Sequence, residues 1–103
     1  MKVVLKPLAI NQLKTIPLNE HEGIRIEAIF VGSCALFIDH HLYIDNKKVN
    51  DKQMNIDGID LLISKDSQEH LPETIYIDYN DNLGYKLYSN EETYRYNLQL
   101  GRK

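Results

Sequence analysis

The sequence predicts a mainly β fold: a single domain over residues 1–103, with six to eight strands and one short helix near residues 7–15. Three observations carry this. Short segments alternate apolar and polar residues at the period of two that marks a half-buried strand, most cleanly Thr74–Tyr79, TIYIDY. Turn signals separate these segments at close intervals, the strongest being Asp57-Gly58. Only one segment, beginning at Pro7, has clear helical spacing.

Met1 to Lys6 reads as a first strand with Val3 and Leu5 on one face. Pro7 suits the first turn of a helix, where its missing N–H costs nothing. Ala9, Leu13 and Ile16 then recur at helical intervals, and Pro17 ends the run. After a polar loop at Asn19–Glu22, Gly23–Val31 alternates as a strand and leads through Gly32 and Ser33 into Ala35–Asp45. In that second strand Leu36, Ile38, Leu42 and Ile44 share a face, with Phe37, Asp39, His41, Tyr43 and Asp45 opposite. Asn46–Lys52 is a charged loop. Gln53–Asp57 and Ile59–Ser64 form a hairpin about Asp57-Gly58. Lys65–Leu71 reads as a helical turn capped by Asp66 or Ser67 and closed by Pro72. Thr74–Tyr79, Tyr85–Ser89 and an edge strand at Thr93–Leu100 complete the chain, with a turn at Asp81–Gly84.

At 103 residues the chain can bury roughly 60–70% of its unfolded surface, enough for one core without staples. A net charge of −3 with scattered basic residues gives no electrostatic case for nucleic acid. The apolar run in MKVVLKPLAI is too short for a signal peptide, and no stretch approaches the ~20 apolar residues of a membrane helix. With one cysteine there is no internal disulfide framework, and the expected location is the cytoplasm, where a lone thiol stays reduced.

That cysteine, Cys34, is the candidate metal ligand. It falls where strand alternation gives way to a glycine that lets the backbone turn tightly. Backbone N–H groups converging on such a turn would lower its pKa and favour partial exposure beside the main surface concavity. The alternative is a small buried residue, since free cysteine packs as a hydrophobe. Asp39, His40 and His41 are the nearest other ligand types. In an uninterrupted strand, though, His40 lies ~20 Å from Cys34, and Asp39 with His41 supplies only two contacts. His40 and His41 read otherwise as surface or satisfied strand histidines. The late tyrosines (Tyr76, Tyr79, Tyr85, Tyr88, Tyr94 and Tyr96) read as cross-strand packing or as a docking stripe. There is no phosphate loop, nucleophile elbow or H-E-x-x-H, and Asp78, Asp81, Glu91 and Glu92 read as a solvated rim, so nothing argues for an enzyme.

The ordered set of short motifs resembles the HesB-like, A-type iron–sulfur carrier family. It comprises the strand–helix opening, Gly23-Ile24-Arg25-Ile26, a cysteine in the following turn, Gly58-Ile59, Ser67, Leu71, Ile77-Asp78-Tyr79, Leu83-Gly84-Tyr85-Lys86-Leu87 and Asn90. The resemblance runs from about Lys2 to Asn90. It implies a compact β-sandwich or roll, protein partners from cluster assembly and a possible homodimer. The family's cluster chemistry uses a central cysteine and a C-terminal C-x-C pair, and only Cys34 has a counterpart here. A [2Fe–2S] cluster needs four protein ligands, so one thiolate per chain leaves the set incomplete and no cofactor is expected on the chain alone. The leading expectation is therefore a non-catalytic HesB-like domain linked at most to metal or cluster handling through Cys34. A protein-interaction module without metal is the alternative, using the tyrosine-bearing face or the 46–52 loop. A thiol redox sensor is a third.

Overall fold

Two open sheets face a shared core in the computed structural model, which describes residues 1–31 and 37–102. Their elements are β1 (Lys2–Leu5), α1 (Pro7–Leu13), β2 (Glu22–Val31), β3 (Phe37–Asn46), β4 (Lys52–Ile56) and β5 (Ile59–Ile63). Then come α2 (Lys65–Glu69), β6 (Thr74–Asn80), β7 (Gly84–Tyr88), β8 (Thr93–Leu98) and β9 (Gly101–Arg102). One sheet has the order β1-β6-β7-β8, the other β4-β5-β2-β3-β9. The fold is mostly strand, as the alternation requires. Val3, Leu5, Ile75, Ile77 and Leu87 reach the core from the first sheet, and Ile24, Ile26, Leu42, Ile44 and Leu61 from the second. Ala9 and Leu13 of α1 join them. Each fully buried aliphatic side chain, such as Ile26 or Ile77, contributes about 1.5–3 kcal/mol.

Several expectations need correction. The fold has two helices, not one, because Lys65–Glu69 completes a helical turn. Its cap is Ser64, whose Oγ accepts from the Ser67 N–H at 3.1 Å, and neither Asp66 nor Ser67 plays that part. Ser67 is instead buried, its Oγ accepting the Ala28 N–H at 3.1 Å and tying α2 to β2. The helix at Pro7 stops at Leu13 rather than residue 15. Thr15 N–H turns back to the Gln12 carbonyl, a tighter closure than an α-turn. Nine strands are present among the described residues, one more than expected, the last being two-residue β9.

The β2–β3 hairpin is the longest ladder, running from Glu22↔Asn46 to Val31↔Phe37. Its partner β5 pairs with β2 only at Ile24 and Arg25. That pairing is close: a Cβ on Gly23 would lie 2.9 Å from Leu62 Cγ, so only glycine fits there. The Ala28–Val31 end of β2 thus runs on beyond its ladder with β5, and α2 packs against β2.

Candidate functional site

The candidate site lies at the far end of that hairpin. Cys34 and its neighbours 32–36 fall outside the described residues, so the site is built from what flanks them. Ile29, Phe30, Phe37 and Ile38 are all partly or largely exposed there, Phe37 at 70%. Phe30 stands edge-on to His70, ring centres 4.2 Å apart, which brings the end of α2 beside the hairpin. A cleft of about 350 Å³ opens between β3 and the start of β8, lined by Ile38, His40, His70, Glu92, Thr93 and Tyr94.

His40 is the unusual residue of this cleft. It shares a face with Leu42 and Ile44 and is only 6% exposed. Its ring stacks on Tyr94 at 4.3 Å, and its Nε2 is buried with no hydrogen-bond partner among the described residues. Burial lowers its pKa below 6.5; Asp39 opposes this, while His41 and Arg95 add to it. The expectation of a surface histidine is corrected, and the ring is satisfied only in part, bonded to the Ile38 backbone while its Nε2 has no partner among the described residues. His41 lies on the opposite face, its Nε2 3.2 Å from Asp39 Oδ2, and Arg95 reaches Asp39 at 3.8 Å. Among the described residues no three His, Cys, Asp or Glu side chains gather closely enough to hold a metal.

The opposite end of the hairpin is built on charge. Arg25 is buried, donating through Nε to Asp45 at 2.8 Å and through its two terminal nitrogens to both oxygens of Asp51 at 2.7 and 2.6 Å. It also donates to the Asn46 carbonyl at 3.0 Å. The Asp51 pKa falls below its usual value, chiefly through Arg25. This fork pins the 46–51 loop to the sheet. The loop's charge pattern hinted at solvent, but its partner was an arginine 26 residues earlier, which spacing does not reveal. Nearby, β9 pairs with Tyr43 and Ile44, and Arg102 clasps Glu22 at 2.8 and 3.0 Å and donates to the Pro17 carbonyl at 2.9 Å. A cavity of about 690 Å³ also opens at this end, beside Leu13, His21, Glu22 and Asp60.

The tyrosines mostly pack. Tyr76 stacks on its cross-strand partner Tyr88 at 5.2 Å, with Lys86 over the Tyr88 ring at 4.6 Å, and Tyr79 meets Tyr85 at 4.8 Å. Burial pushes the Tyr85 hydroxyl up to about 12. Tyr96 alone of this group is largely exposed.

Two sheets around one core, nine strands and two short helices among the described residues, define a class of small β-rich scaffold. A family model for iron-sulphur cluster biosynthesis matches residues 1–102, and the chain belongs to that family. Among solved structures, a Lactobacillus salivarius protein assigned to Fe-S biosynthesis superposes with a TM-score of 0.67 at 14% identity, covering 99% of this chain and 97% of that one. Its Lactobacillus acidophilus counterpart gives 0.66 at 15% identity, covering 99% and 90%. Escherichia coli SufA, involved in biosynthesis of iron-sulfur clusters, gives 0.63 at 16%, covering 89% and 91%. At these identities the likeness is one of fold. No curated protein sequence matches the chain. It is a HesB-like domain with one cysteine in place of the family's three.

Proposed function

We propose that residues 1–103 form a single HesB-like domain, a compact sandwich or roll. It works in the cytoplasm as a non-catalytic, partner-binding member of the iron–sulfur assembly machinery. Cys34 is its one thiolate ligand, and any cluster or metal it handles is completed by ligands from a partner or a second copy. Neither nucleic acid nor membrane enters this reading. The observation that carries it is the fate of the C-terminal segment. Where the family places its C-x-C pair, this chain has no thiol. Its last described residues are consumed in β9, paired at Tyr43 and Ile44. Tyr43 lies ~20 Å along β3 from Phe37, the residue nearest Cys34 that is described on that side. The side chains present therefore do not fit a [2Fe–2S] cluster, which needs four ligands.

Anaerobic reconstitution with iron and sulfide tests this directly. The protein alone should keep no visible absorption after desalting. A stable brown holoprotein with stoichiometric iron and sulfide would overturn the reading. The exposed Phe30 and Phe37 favour a second reading, an interaction module with no metal at all. Metal analysis of oxygen-free preparations separates the two. Iron that is present in the native protein and lost in Cys34→Ser supports the first, and its absence from both supports the second.

A further inference from the structure

The line where β3 meets β8 joins a strand of one sheet to a strand of the other. The two strands lie against each other, yet among the described residues no backbone ladder joins them. Side chains do the work: the His40–Tyr94 stack at 4.3 Å and the Arg95–Asp39 contact at 3.8 Å. On its other side β8 is held to β7 by a ladder with two register irregularities, matched at Tyr85↔Leu98, Leu87↔Arg95 and Tyr88↔Thr93. Beyond β8 the chain is fastened again by β9 and by Arg102 on Glu22. β8 is thus a strap, anchored at its C-terminal end and joined to β7 through an irregular ladder.

We propose that this strap is a proton-gated seam: it lies shut while His40 is neutral and swings off β3 when His40 takes a proton. The closed seam buries the ring against Tyr94 and leaves Nε2 without an acceptor, so a proton added there has nothing to donate to. A buried charge without a partner costs several kcal/mol, whereas an open strap gives it water. The charged and titratable groups around the ring are Asp39 and His41 on β3, Arg95 on β8, Glu92 just before it and His70 at the end of α2. Arg95 and His41 resist a second positive charge. Asp39 is already engaged by both of them. Glu92 opens onto the same cleft and becomes the natural acceptor once the strap moves.

The linkage has a definite sign. The closed state holds His40 neutral below the ordinary histidine pKa of 6.5, so the open state binds more protons as pH falls. Backbone hydrogen exchange, corrected for the intrinsic pH dependence, reads this out. Protection of the β8 amides should fall below ~6.5, by at most about tenfold per pH unit, and level off once pH has passed the closed-state pKa, while core amides of β2 and β5 hold theirs. In His40→Phe, which keeps an aromatic face on Tyr94, β8 protection should not change with pH. Constant β8 protection in the native protein, or the same loss in His40→Phe, would overturn the proposal. Should that variant fail to fold, NMR titration of the native His40 ring decides. A midpoint at or above 6.5 overturns the seam, and a midpoint below 6.5 that tracks the loss of β8 protection supports it.

Discussion

The two ends of the β2–β3 hairpin use the same ladder to opposite purposes. At the Glu22–Asn46 end, charge pairs tie the strands to their neighbours. Arg25 takes both Asp45 and Asp51, Arg102 takes Glu22, and β9 adds a further strand. At the Val31–Phe37 end the same two strands offer Phe30, Phe37 and Ile38 to the surface, and below them sits a histidine whose Nε2 has no hydrogen-bond partner among the described residues. The difference teaches where this scaffold spends its rigidity. Charge pairs fix the end that need not move, and apolar side chains stay free at the end that carries the cysteine in the sequence.

The comparison breaks most severely at Arg25. Arg25→Ala leaves Asp45 with only the exposed Lys48 at 3.3 Å and strips Asp51, whose side chain is only 2% exposed, of its ion-pair partner. Breaking a buried pair this way costs about 3–5 kcal/mol, measurable as a lower urea midpoint with an unchanged slope. A milder form of the same break comes from acid. The folded-state pKa of Asp51 lies below its usual 3.8, with Arg25 the main cause. Its contribution is complete above about pH 4 and is lost as pH falls through the folded value. Stability profiles of native protein and Asp51→Asn should therefore converge below that range; parallel profiles would refute the role given to Asp51. The smallest effect belongs to the other end. Phe37→Ser should change stability by no more than about 0.5 kcal/mol, since the ring packs on little. It should nevertheless weaken binding to any partner that needs the hairpin tip. A loss of several kcal/mol would show that the two ends are not so different.

Alternation made most of the strands legible before any coordinates, because each buries one face. TIYIDY became β6, and its register with β7 set Tyr76 against Tyr88 and Tyr79 against Tyr85. The misses share a cause. β9 is two residues long and exists only because β3 is there to receive it. α2 spans five residues, too few for a helical period to declare itself, and its cap was hidden one residue outside the expected run. The candidate site was legible in one half. The parity His40 shares with Leu42 and Ile44 carried a signal of burial that the expected surface or satisfied histidine did not use, and its stack on Tyr94 joins residues from different sheets. Cys34 lies outside the described residues, so its expected exposure rests on the sequence alone.

The first strand carries a consequence for how the chain is made. β1 pairs in parallel with β6, Lys2 opposite Thr74 through Leu5 opposite Ile77. Its only ladder partner among the described residues therefore leaves the ribosome about 70 residues after it does. At about 5–20 residues per second, β1 waits roughly 4–14 s with Val3 and Leu5 uncovered. During that interval VVL is an unpaired strand edge flanked by Lys2 and Lys6, a pair of charges placed where they discourage pairing with a neighbouring nascent chain.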